Sequence, residues 1–163
     1  MSNRHLARAI AMQSLYQWDF LRVGGQEKDI QEITSHNRDE FAPDFDDKGF
    51  IAELIDGVVK NIEEINALIT KYAPEWPLDQ ITTVDRNILR LASYEISHAA
   101  TPTSVVIDEA IELARRFGSD ASPAFRVSST HSRPARSTAT SWPRDSMLCS
   151  AKELGIAEDA SGL

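Results

Sequence analysis

Apolar residues recur at intervals of three and four positions near the start of the chain, which is the spacing of a helix with one buried side. These positions are Ala7, Ile10, Ala11, Leu15 and Trp18. Arg4 and Arg8 lie outside this apolar face. The helical stretch ends at Gly24 and Gly25. The pattern predicts a first helix with a buried side and a basic side.

Two helical stretches follow the double glycine. Residues 26–38 are polar, with two isoleucines as the only strong apolar anchors, and this is typical of a short peripheral helix. Residues 50–72 keep helical spacing of apolar residues throughout, which predicts one long core helix with Gly57 as the place for a bend. Pro74 and Pro77 then exclude helical continuation and predict a turn.

Two more helices are predicted after this turn. Thr82 precedes Asp85 by three residues, which fits a helix start with a carboxylate at the positive end of the helix dipole. Thr103 or Ser104 can cap the next helix, which ends at Gly118. No long run alternates β-branched and polar residues, and no repeat of fixed period is present. The predicted fold class is therefore all-α.

The composition changes after Phe125. A further helix should begin at Ser122 and Pro123, yet residues 126–146 are rich in Ser, Thr, Arg and Pro. Such a composition is typical of disorder. We therefore predict a helical domain over residues 1–125 and an atypical tail over residues 126–163.

Length and charge narrow the class of protein. A chain of 163 residues has the usual size of a domain with a single hydrophobic core. Its apolar runs are far shorter than the roughly 20 residues that span a bilayer. Its first residues lack the apolar stretch of a secretory signal. A single cysteine, Cys149, excludes a disulfide framework. We expect a cytoplasmic protein.

The net charge of −8 argues against a general binder of polyanions. The charge is unevenly distributed, because no Asp or Glu occurs before Asp19, whereas Arg4, His5 and Arg8 make the opening segment basic. This segment is a candidate RNA contact; a solvated surface is the alternative.

No catalytic apparatus is recognisable in the sequence. The four histidines are far apart and none has a metal-ligand spacing. Adjacent carboxylates such as Glu63 and Glu64 point about 100° apart on a helix and do not form an acid/base pair. A glycine-rich phosphate loop and a nucleophile elbow are also missing. We expect a binding protein without a cofactor or a metal, and not an enzyme.

Four sequence blocks in a fixed order resemble the NusB family of bacterial transcription antitermination factors. The blocks are AMQSLYQW at 11–18, YAPEWPL at 72–78, VDRNILRLASYEI at 84–96, and VIDEAIELARRFG at 106–118 followed by SPAF at 122–125. The resemblance implies two three-helix subdomains that bind the boxA element of ribosomal RNA leader transcripts. It also implies a partner, the small ribosomal subunit protein NusE, with which the family helps RNA polymerase resist termination.

The resemblance also indicates site residues. Arg4 and Arg8 stand where the family has an arginine-rich segment, but His5 and Leu6 occupy positions that are often basic, so weaker RNA affinity is expected. Phe125 matches an aromatic residue near the RNA, on which a base could stack. Packing within a final helix is the alternative for Phe125.

A second group of site residues lies in the block at 84–96. The resemblance places Asp85, Arg86 and Arg90 beside the RNA and NusE surfaces, and we expect Asp85, Arg86 and Glu95 to contact the protein partner. Helical spacing puts Arg86 and Arg90 on one face, where they could grip phosphates. The alternative is that Arg86 pairs with Asp85 or Glu95.

Four aromatic residues on apolar helix faces are expected in the core rather than as stacking platforms. They are Tyr16, Trp18, Trp76 and Tyr94.

In the family the segment after the aromatic residue continues as an amphipathic helix that closes the C-terminal bundle. With suitable codons, the segment at 127–135 read in another frame would encode such a pattern, so we hypothesise a change of reading frame near codon 126, natural or erroneous. Loss of the helix would expose Val106, Ile111 and Leu113.

Two other function classes are compatible with the sequence. Ribosomal RNA cytosine methyltransferases carry a similar accessory domain, but the residues after Phe125 are too few for their catalytic region. The other class is a protein-interaction scaffold without RNA binding. A helical face that pairs with NusE could equally form a homodimer, so the oligomeric state stays open.

Overall fold

Six helices make up the regular structure of residues 3–74 and 77–118, which are the residues that the computed structural model describes. They are α1 (Asn3–Val23), α2 (Ile30–Phe41), α3 (Phe50–Lys60), α4 (Ile62–Tyr72), α5 (Thr83–His98) and α6 (Thr103–Phe117). No strand occurs within these ranges, and the predicted all-α class is confirmed. None of these helices is both long and apolar enough to cross a bilayer.

The chain divides into two compact units, the first ending at Ile62 and the second beginning at Glu63. In the first unit, α1 contacts both α2 and α3. Its buried stripe includes Ile10 and Leu15, and a polar contact accompanies the apolar ones. The buried Asn37 side chain of α2 donates from Nδ2 to Ser14 Oγ over 3.1 Å, which fixes the pairing of the two helices because buried polar groups require partners.

The second unit contains a hydrophobic cluster between α4 and α5. The cluster consists of Ile65, Ile69, Ala73 and Leu89, with Leu78, Ile81 and Tyr94 packed against it. Helix α5 also contacts α6. Burial of these side chains orients α5, the helix that carries the second group of predicted site residues.

The predicted long helix over residues 50–72 is two helices. The break lies at Asn61, where both the backbone N–H and the side-chain Nδ2 donate to the Gly57 carbonyl, over 3.2 and 2.8 Å. A side-chain amide that competes for a helical carbonyl favours helix termination. Gly57, the expected bend, lies inside α3.

Other helix boundaries also differ from the sequence expectation. Helix α2 begins four residues later than expected, because the Asp29 carboxylate caps the N–H of Gln31 over 3.1 Å. Helix α6 begins at Thr103 with Pro102 as its N-cap, so neither proposed hydroxyl is the cap. Proline lacks an N–H and its fixed φ permits this position at a helix start.

The burial of several side chains differs from expectation. Val106 and Leu113 are buried and Ile111 is half-buried; their predicted exposure depends on the segment after Phe125, which lies outside the described residues. Tyr16 is exposed rather than in the core, whereas Trp18 and Tyr94 are half-buried. The predictions for Trp76, the helix start at 122–123, Phe125 and the tail at 126–163 lie outside the described residues.

Helix α5 begins as predicted. Thr82 Oγ1 accepts the backbone N–H of Asp85 over 3.1 Å and donates to Asp85 Oδ2 over 2.9 Å. The hydroxyl therefore satisfies an N–H that has no acceptor within the helix.

Replacing the capping hydroxyl tests this helix start. We expect Thr82→Ala to lower the free energy of unfolding by about 1 kcal/mol, because the Asp85 N–H loses its acceptor. Thr82→Ser keeps the hydroxyl and should retain most of the stability. Urea titrations followed by circular dichroism measure both; equal stability of the Ala and Ser variants would show that the cap contributes nothing.

Candidate nucleic-acid interface

The first turns of α1 bring two arginines to one aromatic ring. Arg4 and Arg8 are one helical turn apart, and their guanidinium carbons lie 4.8 and 5.3 Å from the centroid of the Phe50 ring. Phe50 is the first residue of α3. Cations over an aromatic face are attracted by the ring quadrupole, so this contact joins the start of α1 to the start of α3.

The two arginines differ in exposure. Arg4 is exposed, His5 is half-buried, and only 2% of Arg8 is accessible to solvent. The prediction that Arg8 lies on an exposed basic side of α1 is therefore wrong. Its long aliphatic stem and flat guanidinium can pack among apolar groups, which a lysine ammonium does less readily.

Acidic residues surround the exposed arginine. A cleft of about 350 Å³ is lined by Asn3, Arg4, Ala7, Asp46, Asp47, Lys48, Phe50 and Glu53. Three carboxylates and the cations of Arg4 and Lys48 line this cleft, so a polyanion meets both attraction and repulsion there.

The acidic loop is ordered by its own carboxylates. Asp46 Oδ1 accepts the backbone N–H of Lys48 over 3.0 Å, and Asp47 Oδ2 accepts that of Ile51 over 2.6 Å. Gly49, the N-cap of α3, has a φ of 81°, which glycine adopts without a steric penalty. These contacts fix the loop from which Phe50 follows.

Arg86 and Arg90 of α5 donate hydrogen bonds to other residues of the second unit. Arg86 Nη1 donates to the Leu78 carbonyl over 2.9 Å. The buried Arg90 donates from Nε to Asn66 Oδ1 over 2.9 Å and from Nη1 to Asn87 Oδ1 over 3.2 Å. Both guanidinium groups therefore make contacts that stabilise the fold, and a role of either in gripping RNA stays a prediction.

The carboxylates predicted to contact a protein partner are buried. Asp85 is held by the Thr82 cap, and Glu95 Oε1 accepts a hydrogen bond from Thr101 Oγ1 over 3.4 Å. The structure thus gathers Arg4, His5 and Arg8 at the start of α1, and Asp85, Arg86, Arg90 and Glu95 along α5. Contact of Asp85 or Glu95 with a partner stays a prediction.

Sequence reasoning missed an exposed apolar stripe on the second half of α1. Tyr16, Phe20 and Val23 are 38%, 60% and 77% exposed, and their spacing of four and three residues puts them on one helix face. The rings of Tyr16 and Phe20 stack with centroids 6.1 Å apart. The spacing was the available signal, but it equally fits a core stripe.

Phe50 was also missed. Its contacts with Arg4 and Arg8 join residues more than 40 positions apart, and local sequence patterns carry no signal for such a contact. Among the described residues, no group of three or more His, Cys, Asp or Glu side chains could hold a metal ion.

Comparison with known proteins gives a consistent result. The model of the NusB family matches residues 5–126. Relatives named transcription antitermination protein NusB include that of Elusimicrobium minutum, 41% identical over 129 residues that cover 77% of this chain and 88% of the relative. The relative from Bacillus subtilis is 38% identical, with coverages of 75% and 87%.

Solved structures show the same fold. T. maritima NusB superposes with a TM-score of 0.62 at 28% identity, covering 98% of this chain and 92% of that one. A chain from the crystal structure of a plectonemic RNA supercoil has a TM-score of 0.69 at 22% identity, with coverages of 99% and 100%. The second similarity concerns the fold alone.

The contacts of Arg90 generate a prediction about stability. We expect Arg90→Ala to lower the free energy of unfolding by about 2–3 kcal/mol, because the side-chain oxygens of Asn66 and Asn87 lose a charged donor. Arg115→Ala removes an exposed arginine paired with Glu112 and should change stability by less than about 0.5 kcal/mol. Urea unfolding compares the two; equal stabilities would show that the hydrogen bonds of Arg90 contribute nothing to folding.

Proposed function

The chain belongs to the NusB family of transcription antitermination proteins, and from this premise we propose that it binds boxA RNA of ribosomal RNA leader transcripts together with NusE. The complex would act within the RNA polymerase antitermination complex and support processive transcription of ribosomal RNA operons. The relatives are named for transcription antitermination and not for a catalysed reaction, so the chain is not an enzyme.

One observation carries the RNA part of the proposal. Arg4 is an exposed arginine at the start of α1, next to the half-buried His5, in a segment without carboxylates before Asp19. Arginine suits phosphate because its planar guanidinium can donate two parallel hydrogen bonds. We assign direct phosphate contact to Arg4 and, with a smaller share, to His5.

The other predicted RNA residues have different roles in this proposal. Arg8 and Arg90 are buried and hold the helices on which the exposed groups lie. Arg86 is half-buried on α5 and stays a predicted RNA contact, and Phe125 stays the predicted stacking residue. A single strongly exposed arginine beside an acidic cleft is consistent with weaker RNA affinity than a fully basic segment would provide.

The apolar stripe of Tyr16, Phe20 and Val23 supports the protein part of the proposal. Exposed aromatic residues that lie together on one helix face are typical of protein interfaces, where they supply most of the binding energy. We assign this stripe to NusE. Asp85 and Glu95 are buried, and their contact with the protein partner stays a prediction.

RNA binding is tested with a labelled boxA oligonucleotide and the full chain over a series of salt concentrations. Arg4→Ala should weaken binding about tenfold at physiological salt, since a charge-assisted hydrogen bond is lost. The slope of log affinity against log salt should fall by about 0.7 for the lost phosphate contact. Arg38→Ala, an exposed arginine on α2, is the matched control and should bind like the unmodified chain.

RNA binding that is undetectable or independent of salt, with NusE binding retained, would contradict the RNA assignment. Such a result would leave a protein-interaction scaffold as the function. The acidic lining of the cleft beside Arg4 is the observation that favours this second candidate.

NusE binding is tested with Phe20→Ser, which removes the central ring of the stripe. Affinity for purified NusE, measured by isothermal titration calorimetry, should fall at least about tenfold, because truncation of a central aromatic residue commonly costs 2 kcal/mol or more. Phe41→Ser removes a ring of similar exposure, 53% against 60%, from α2 and is the matched control.

Equal NusE affinity of the Phe20→Ser and Phe41→Ser variants would contradict this assignment of the stripe. A chain that is dimeric in gel filtration and becomes monomeric only with Phe20→Ser would assign the stripe to a homodimer instead.

A further inference from the structure

The Phe50 ring is held firmly where the two arginines meet it. It is nearly buried and opens α3, and the next residue, Ile51, is capped by the Asp47 carboxylate. The preceding Gly49 makes the turn into the helix with a positive φ. Because backbone contacts on both sides fix its position, the ring can order a side chain that stacks on it.

The ring contacts one arginine that is buried and one that is exposed. Arg8, the buried one, anchors α1 against the ring, and Arg4 lies one turn earlier on the same ring at the protein surface. A contact between the guanidinium carbon and a ring face uses none of the N–H donors of the arginine. The N–H groups of Arg4 are therefore able to donate to a phosphate while the side chain is stacked.

We infer that Phe50 is a positioning residue for RNA binding, which acts by holding the Arg4 guanidinium in the orientation that meets a phosphate. This inference rests on the proposed RNA-binding function. An arginine side chain has several rotatable bonds, and ordering it before binding reduces the entropy lost on binding.

The acidic cleft gives the ring a second effect. Asp46, Asp47 and Glu53 line the same cleft as Arg4, and carboxylates compete with phosphate for a guanidinium group. Stacking on Phe50 offers Arg4 a contact that is not a carboxylate. Without the aromatic ring, Arg4 is expected to turn toward the cleft and to lose affinity for phosphate.

A double-mutant cycle with the full chain and a boxA oligonucleotide tests the inference. Phe50→Leu keeps an apolar side chain but removes the ring, and it should weaken RNA binding about two- to fivefold. Phe50→Tyr keeps the ring and should bind like the unmodified chain. In the Arg4→Ala background, the effect of Phe50→Leu on affinity should be much smaller, because the contact of the ring with Arg4 is already absent. Loss of the contact between the ring and Arg8 is common to both backgrounds and cancels in the cycle.

Two further measurements separate positioning from a merely structural role. Phe50→Leu should leave the salt slope unchanged, since Arg4 still reaches the phosphate in the complex, whereas Arg4→Ala lowers the slope. In NMR spectra of the free protein, the Arg4 side-chain protons should carry an upfield ring-current shift that Phe50→Leu abolishes and Phe50→Tyr retains. Circular dichroism confirms that each variant is folded.

Several results would overturn the inference. One is a loss of affinity from Phe50→Leu that persists undiminished in the Arg4→Ala background, and another is RNA binding by Arg4→Ala that equals that of the unmodified chain. In both cases the unmodified chain still binds RNA, so the proposed function survives. Failure of the unmodified chain to bind RNA would instead overturn the proposed function together with the inference.

Discussion

A buried positive charge loses its hydration and needs favourable contacts with neighbouring groups in its place. Arg8 is such a charge in the first unit. Only 2% of this residue is accessible to solvent, and the other buried positions of α1 are apolar except for Ser14 and Asp19. The Phe50 ring supplies part of the compensation through its quadrupole. The start of α3 must therefore lie against the start of α1, and this constraint also brings the acidic loop before α3 beside Arg4.

Among the described arginines, Arg8 and Arg90 are buried, Arg86 is half-buried and others such as Arg4 are exposed. Arg8 packs against the Phe50 ring and Arg90 donates hydrogen bonds to Asn66 and Asn87, so both guanidinium groups are largely withdrawn from solvent. Arg4 is exposed, and its charge acts on the solvent. The count of basic residues in a segment therefore overstates how many of them can meet a phosphate, which matters in a chain with a net charge of −8.

The elements that could be predicted from sequence depend on local chemistry. The start of α5 follows from a hydroxyl and a carboxylate three residues apart, and both hydrogen bonds are present. The break at Asn61 escaped prediction because apolar spacing continues across it and only the side-chain amide marks it. The burial of Arg8 was not predicted, because an analysis of apolar periodicity counts arginine as polar and ignores its aliphatic stem. The Phe50 contact joins distant parts of the chain and has no local signal.

The geometry of α1 is compatible with the two binding surfaces that the proposed function assigns to it. Arg4 and Phe20 are separated by sixteen residues, which is about 24 Å along a helix axis, so RNA at one end and a protein at the other need not overlap. Between them, Asn37 of α2 holds Ser14 and also reaches Gln17 Oε1 over 3.4 Å. This buried polar contact anchors the middle of α1, so the two surfaces keep a fixed separation. If the proposed function holds, such rigidity favours simultaneous binding of RNA and a protein partner, because neither then has to order the helix for the other.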